Sequence, residues 1–293
     1  MVRILKFLSL VFVTVCWNQG ISAEDEWRRI TERNNATRVI VLGNTGSGKS
    51  SLVHALVGKS MDVRKKNGKC ILEVKPEDKI PGFVVSGGVE AGTRRITSHL
   101  HHLDDRNAVV FWDCPGFLDP RGLFRDMLTS FAIEWLFAPP CSIKVFLILD
   151  RDSFDINRSR DVILRLKKLS DFFRDEEELK QAVSIIVTKQ LWDDEDINPL
   201  DSGAMLVRIF RNIQNPSEVG LSPYELENIR SIIVHLRDNG RIFSFPRPKC
   251  VGIYNYAEFP DKSRILEDMR HSVTRATYSN FDSYLRIFYN RFF

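Results

Sequence analysis

The sequence predicts an α/β fold: a mostly parallel sheet with one antiparallel strand and with helices on both faces. Short runs rich in β-branched residues, typical of buried strands, recur at 38–42, 145–149 and 183–187. Amphipathic helical patterns lie between these runs, and a glycine-rich turn directly follows the first of them. Of the 293 residues, 43% are hydrophobic and 27% are charged, which excludes a fibrous or disordered chain.

The first half of the chain reads as strand, turn, helix and then a hairpin. After the strand at 38–42, a helical pattern begins near Gly48 and stops near Gly58. Residues 61–92 are predicted to be mostly loop, with one strand at 71–74. Strands at 96–103 and 108–112, joined by a polar turn, are predicted to form an antiparallel hairpin.

The second half alternates strands and helices. Helices are predicted at 158–173, 204–213 and 224–236, with a last strand at 242–245. From 261 to 292 the pattern indicates a long amphipathic helix or a pair of helices. Its apolar stripe consists of Ile265, Met269, Val273, Phe281, Leu285, Phe288 and Phe292. We interpret this stripe as packing on the domain, with docking to a membrane surface or a partner as the alternative.

Residues 1–23 have the pattern of a secretory signal peptide. Arg3 and Lys6 precede an apolar run at 7–17, and a small-residue site ends at Ala23. The apolar run is too short for a membrane-spanning helix. The alternatives are an amphipathic start and a wrong gene start. A signal would send the protein to the secretory route or a membrane; without it, we expect a cytoplasmic protein.

Charge and cysteine usage exclude several classes of function. The net charge is +4 and the basic stretches are short, so we expect no nucleic-acid partner. The five cysteines include no C-x-x-C pair, which gives zinc binding no support and is too few for a disulfide scaffold. Cys114 is expected to be a small buried thiol. His99 and His101 share a strand face, but nothing nearby completes a metal site.

Residues 43–50 match the pattern G-x-x-x-x-G-K-[ST], which marks a phosphate-binding P-loop. Glycines let the backbone wrap a phosphate closely, and the following helix adds its positive end. Lys49 would reach the β- and γ-phosphates, and the Ser50 hydroxyl would bind Mg²⁺. The residues predicted to contact the nucleotide here are Gly43, Asn44, Thr45, Gly46, Ser47, Gly48, Lys49, Ser50 and Ser51.

A second motif, D-x-x-G, follows the apolar strand at 108–112. A carboxylate at a strand end, as at Asp113, can hold Mg²⁺, usually through water. Gly116, three residues later, would let a backbone N–H approach the γ-phosphate. Because this motif follows a hairpin some sixty residues after the P-loop, we assign Asp113 to the metal and Gly116 to the nucleotide.

Together, residues 43–50 and the stretch D-C-P-G-F-L-D at 113–119 resemble the septin-like G domains. These include the immune-associated (IMAP-type) GTPases and the Toc import GTPases. The resemblance covers about residues 38–250. It implies a Ras-like P-loop NTPase fold, GTP or GDP with Mg²⁺, and dimerisation across the nucleotide face. The chain then divides into a signal at 1–23, a linker at 24–37, a G domain at 38–258 and a C-terminal amphipathic helix at 259–293.

The resemblance also implies two further site elements. Thr93 fits the threonine that joins Mg²⁺ and serves hydrolysis when GTP is bound, with Thr97 as the competitor. Thr188 and Lys189 match the start of the guanine-reading pattern [NT]-K-x-D. Leu191 stands where that pattern has its carboxylate, so base discrimination is expected to be relaxed unless Asp193 or Asp194 substitutes.

Turnover is expected to be slow. In Ras-like switches a glutamine after the D-x-x-G glycine orients the attacking water, and here that position is Phe117. A second molecule across the nucleotide face would then assist, with Arg94 or Arg95 as its cation. The alternatives are a P-loop scaffold that holds nucleotide without turnover and a relaxed-specificity or ATP-using NTPase. A membrane surface, reached through the N-terminus or the C-terminal helix, is the other expected partner.

Overall fold

The structure is a computed structural model of the chain. It describes residues 36–66, 69–85, 96–115, 133, 136–137, 141–154, 159–191, 203–204, 206–207, 213, 216–247 and 259–275.

The elements alternate as the sequence predicts. The strands are β1 (Thr37–Gly43), β2 (Met61–Lys66), β3 (Lys69–Val74), β4 (Thr97–His102), β5 (Ala108–Asp113), β6 (Cys141–Asp150), β7 (Val183–Leu191), β8 (Ile242–Arg247) and β9 (Val273–Arg275). The helices are α1 (Lys49–Leu56), α2 (Ser159–Ser170), α3 (Glu176–Ala182), α4 (Pro223–Asp238) and α5 (Lys262–Asp268).

The main sheet has the strand order β4-β5-β1-β6-β7-β8. Strands β5, β1, β6, β7 and β8 are mutually parallel, and β4 runs antiparallel to β5. This confirms the predicted fold class, a Ras-like, mostly parallel sheet. The carboxyl ends of the parallel strands meet at one edge of the sheet, which is where ligands bind in folds of this kind.

Successive residues of a strand point to opposite sides of the sheet, so each face carries apolar side chains. Helices cover both of these faces. Ile40 and Leu42 of β1 join a core that includes residues of α2 and α4. Val39 and Val41 join a second core, which includes residues of α1 and α5. Burial on both faces explains why the parallel strands read as continuous apolar runs.

The sequence interpretation predicted a strand at 71–74, which β3 confirms, but it missed β2 and therefore the hairpin that the two strands form. The two strands pair antiparallel, with Val63 opposite Leu72. Met61 and Val63 are fully buried, whereas Arg64 is exposed and its Nε lies 3.4 Å from Oε2 of Glu73. The alternation is therefore that of a strand, but the charged residues made it look like a solvated loop.

The C-terminal part corrects the prediction of one helix, or a helix pair, over 259–293. Helix α5 ends at Asp268, and residues 273–275 form β9, which pairs antiparallel with the start of β6. Val273, expected on a helical stripe, instead lies opposite Ile143 in this pairing. Residues 276–293 lie outside the described residues, as does the predicted signal at 1–23. Within the described residues, no helix is both long and apolar enough to cross a membrane.

Candidate nucleotide-binding site

The P-loop connects the end of β1 to the start of α1, as its motif predicts. Gly46 and Gly48 have φ of 76° and 93°, values that favour glycine. At Gly43 a Cβ atom would lie 2.5 Å from the backbone oxygen of Ile148, so only glycine fits between β1 and β6. The loop is thus held against the carboxyl end of the sheet.

Lys49 lies across this loop. It is 5% exposed, and its Nζ donates to the carbonyl oxygens of Asn44 at 2.9 Å and Gly43 at 3.3 Å. Burial lowers the pKa of Lys49, and the negative charge of Asp113 opposes that shift. The predicted phosphate-binding cation is therefore in the loop that would surround a phosphate.

Ser50 and Asp113 meet beside the loop. The Ser50 hydroxyl donates to Oδ2 of the buried Asp113 at 2.5 Å. The parallel pairing of β1 with β5 brings them together, because Val41 lies opposite Asp113. A hydroxyl and a carboxylate are oxygen ligands of the kind that Mg²⁺ takes, and Mg²⁺ fills its remaining positions with water and phosphate. These two residues therefore fit the metal that the sequence predicted.

A metal ion can also be held by protein side chains alone, without a bound nucleotide. Among the residues that the structure describes, no group of three or more histidine, cysteine, aspartate or glutamate side chains is arranged to hold a metal ion. His99 and His101 of β4 therefore do not form one within that part of the chain. Burial raises the pKa of the Cys114 thiol, which fits the expected inert cysteine.

The end of β7 packs directly on the P-loop. The Thr188 hydroxyl donates to the carbonyl oxygen of Ser47 at 2.6 Å. Lys189 follows with φ of 61°, and no other non-glycine residue described has a positive φ. Residues in such a conformation cluster at binding sites, and here Lys189 also lies in the irregular pairing between Thr188 and Leu191. The structure thus brings Thr188 against the phosphate loop, with Lys189 next to it in the chain; their role in reading the base stays a prediction.

Leu191 is part of the sheet. The pairing of β7 with β8 is irregular between Thr188 and Leu191, after which Leu191 lies opposite Arg247. The pairing therefore resumes after two residues at the point where a base-reading loop was expected. Asp193 and Asp194, the proposed substitutes for a carboxylate at Leu191, lie outside the described residues.

Asp150 is a residue that sequence reasoning missed. It is the last residue of β6, opposite Thr188, and its Oδ2 lies 3.4 Å from Nζ of Lys189. Burial alone would raise the pKa of Asp150, but the Ser153 hydrogen bond and the Lys189 charge hold it below its ordinary value. The carboxylate is therefore ionised at neutral pH. A polar residue directly after the apolar run at 145–149 was the available signal.

His54 of α1 was also missed. It is fully buried, with Nδ1 2.7 Å from the carbonyl oxygen of Ser50. Its Nε2 accepts the backbone N–H of Ile80 at 3.3 Å, so Nδ1 carries the proton. Burial lowers the pKa of His54, which keeps the ring neutral. The imidazole links Ser50 to the segment that precedes the predicted Thr93.

Arg165 of α2 is a further cation near the loop. It is 5% exposed, and its Nε and Nη1 make no hydrogen bond with any residue that the structure describes. Its charge contributes to lowering the pKa of Lys49. The negative charges of Asp161 and Asp150 oppose the lowering of the pKa of Arg165 by burial.

The remaining predicted residues form two groups, those that the structure describes and those that lie outside the described residues. The nine residues from 43 to 51 run from Gly43, the last residue of β1, through the loop and into the first turn of α1. Thr93 and Gly116 lie outside the described residues, together with Arg94, Arg95 and Phe117.

Sheet order, P-loop and the Ser50–Asp113 pair together define a P-loop nucleotide-binding domain with a Ras-like sheet. Comparison with protein-family models gives no match, and comparison with curated proteins gives none either.

Several solved structures are similar to the chain. Era from Aquifex aeolicus, bound to GDP and AlF4⁻, is 12% identical with a TM-score of 0.37, over 84% of this chain and 60% of that one. The Arl6 BBS3 small GTPase from Trypanosoma brucei, with bound GppNp, is 13% identical with a TM-score of 0.36, over 81% and 100%. The G domain of the T. maritima FeoB iron transporter is 17% identical with a TM-score of 0.31, over 59% and 83%.

The chain thus spans less than two thirds of the length of Era. At such identities and TM-scores, these likenesses add nothing to what the topology and the P-loop themselves establish.

Proposed function

We propose that the protein is a GTP-binding protein of the septin-like, IMAP type, which binds GTP or GDP with Mg²⁺. The observation that carries the proposal is the 2.5 Å hydrogen bond from Ser50 to Asp113 beside the P-loop. It supports the proposal because it joins two residues whose oxygen atoms would hold Mg²⁺ beside the loop that would bind the β- and γ-phosphates. The hydrogen bond from Thr188 to the same loop supports a guanine nucleotide, because Thr188 and Lys189 match the start of the guanine-reading pattern.

Each residue has a defined task in this proposal. The backbone N–H groups of the P-loop and the Lys49 ammonium bind the phosphates. Ser50 and Asp113, with Thr93, hold Mg²⁺, which neutralises charge on the phosphate oxygens when bound. The N–H of Gly116 contacts the γ-phosphate. Because Phe117 cannot orient a water, hydrolysis is slow and a second copy across the nucleotide face assists it.

Lys49→Ala tests the proposal. A hydrogen bond to a charged group is worth about 1.5–3 kcal/mol, so removing the ammonium should weaken GTP binding about tenfold to a hundredfold. The matched control is Lys59→Ala, which removes a surface lysine, 36% exposed, just beyond α1. Calorimetry with GTP and Mg²⁺ gives both affinities. Equal affinity for GTP in Lys49→Ala and in the unaltered protein would contradict phosphate binding by this loop.

The second candidate is a P-loop NTPase that uses ATP or accepts several purines. The observation in its favour is Leu191, whose backbone continues the strand pairing where the guanine pattern has a carboxylate. Competition of ATP against bound GTP separates the two candidates. A preference for ATP would replace the guanine proposal and would leave phosphate binding untouched.

A further inference from the structure

The orientation of a bound nucleotide follows from the two ends of the site, given the proposed function on which this inference rests. Ser50 and Asp113 would hold Mg²⁺ next to β5, where the metal would neutralise charge on the terminal phosphates of a bound nucleotide. The terminal phosphate would therefore lie on the β5 side of the P-loop. The nucleoside must extend the other way, over the carboxyl ends of β6 and β7, which lie beyond β1 in the sheet.

At those strand ends lie Asp150, Thr188 and Lys189. Asp150 is directly opposite Thr188 in the pairing of β6 with β7. Thr188 is joined to the phosphate loop through Ser47, at 2.6 Å. The Asp150 side chain is 15% exposed, and the ammonium of Lys189 lies 3.4 Å from its Oδ2. An ionised carboxylate is thus fixed within one strand spacing of a residue that contacts the P-loop.

A carboxylate in this place suits guanine. The Watson–Crick edge of guanine presents two donors, N1–H and the 2-amino group, whereas adenine presents an acceptor at N1. An ionised carboxylate has about four lone-pair sites for hydrogen bonds. The Ser153 hydroxyl uses one of them, on Oδ1 at 2.5 Å, and the Lys189 ammonium faces Oδ2. Acceptor sites therefore remain for the two guanine donors, and the same carboxylate would repel N1 of adenine.

We propose that Asp150 is the specificity-determining residue for the base, and that it accepts the N–H groups of guanine in place of the carboxylate missing at Leu191. Lys189 holds the carboxylate in position. The competing explanation is that Asp150 only caps the short helical turn Arg151–Phe154 through its contact with Ser153.

Asp150→Asn separates the two explanations. Asparagine has the same size and retains an oxygen that can accept from Ser153, so the cap remains. It replaces one acceptor with an N–H donor, which matches xanthine, because xanthine has N1–H beside an oxygen at position 2. A two-bond contact to a base edge discriminates by about 1–3 kcal/mol, or roughly tenfold to a hundredfold. We expect GTP affinity to fall by that factor and xanthosine triphosphate affinity to rise by it.

The controls are Asp193→Asn and Asp194→Asn, which make the same change in the two carboxylates that follow β7. A gain of xanthosine triphosphate binding in either of these variants, and not in Asp150→Asn, would overturn the proposal. Unchanged GTP affinity in Asp150→Asn, without a gain of xanthosine triphosphate binding, would also overturn it and favour the cap.

Inosine triphosphate, which lacks the 2-amino group, gives an independent measurement. The unaltered protein should prefer GTP to inosine triphosphate, and Asp150→Ser, which keeps an oxygen for the turn, should lose that preference without binding xanthosine triphosphate. An unchanged preference in Asp150→Ser would contradict the assignment.

GTP binding by the unaltered protein separates an error in the assignment of Asp150 from an error in the proposed function. If the unaltered protein binds no purine triphosphate, the proposed function is wrong. If it binds GTP and the Asp150 variants bind it equally well, only the assignment of Asp150 is wrong.

Discussion

Replacing Lys144 with methionine should destabilise the protein by about 3 kcal/mol, the lower end of the cost of breaking a buried ion pair. Lys144 lies on β6 with its side chain fully buried, and its Nζ is 2.8 Å from Oδ2 of Asp268 on α5. Without the lysine, Asp268 keeps a hydrogen bond from Ser184 at 2.6 Å and the more distant Arg241, at 3.6 Å. These two partners are the reason for choosing the lower end of the range.

Removing both charges should cost much less than removing one. A buried pair replaced by apolar residues of similar volume is often neutral for stability, because the desolvation penalty disappears with the attraction. We therefore expect Lys144→Met with Asp268→Leu to recover most of the loss seen in Lys144→Met. Urea unfolding at pH 7 gives all three free energies of unfolding. A double variant less stable than the single one would refute the ion-pair explanation.

The same lysine predicts a pH dependence with a definite sign. Burial lowers the pKa of Lys144 to about 8 from its ordinary value of 10.5. Between these values the unfolded chain binds the proton more tightly, so the free energy of unfolding rises with pH across this window and the gain is lost below about pH 8. At 1.36 kcal/mol per unit, the gap between the unaltered protein and Lys144→Met should widen by up to about 3 kcal/mol. A gap that stays constant from pH 8 to 10 would refute the depressed pKa.

Two further predictions concern turnover and location. Specific GTPase activity should rise with protein concentration, because a second copy supplies the catalytic assistance that Phe117 cannot, and Arg94→Ala or Arg95→Ala should remove the rise. A fast rate that does not depend on concentration would contradict dimer assistance. A rate near zero at every concentration would favour a scaffold without turnover. If residues 1–23 are a signal, mass spectrometry of the expressed protein should find an N-terminus near Glu24, and a retained Met1 in a cytosolic protein would exclude it.

The parts of the fold that could be predicted are those with local determinants. The β4–β5 hairpin is an example, because its turn is specified by its own residues: Oδ1 of Asp104 accepts the backbone N–H groups of Arg106 and Asn107, at 2.9 and 2.8 Å. The end of α5 has no such local signal. Asp268, its last residue, meets Lys144 and Ser184, which are distant in sequence and come together with it only in the folded sheet. An apolar stripe continued past Asp268, so periodicity alone favoured a longer helix.

The same division holds in the site. The P-loop and Asp113 could be predicted, because each motif consists of a few adjacent residues whose types and spacing indicate phosphate or metal binding. Asp150 could not, since its role depends on the register that puts it opposite Thr188.

His54 shows most clearly what the sequence alone cannot predict. In the sequence it is one polar residue in an amphipathic helix. In the fold, Ser50 and Ile80 bind its two ring nitrogens, at 2.7 and 3.3 Å, within the core. An imidazole bound on both sides has a fixed tautomer and orientation. Since the Ser50 hydroxyl is bound to Asp113, the His54 ring connects the backbone at Ile80 to a residue of the proposed magnesium site.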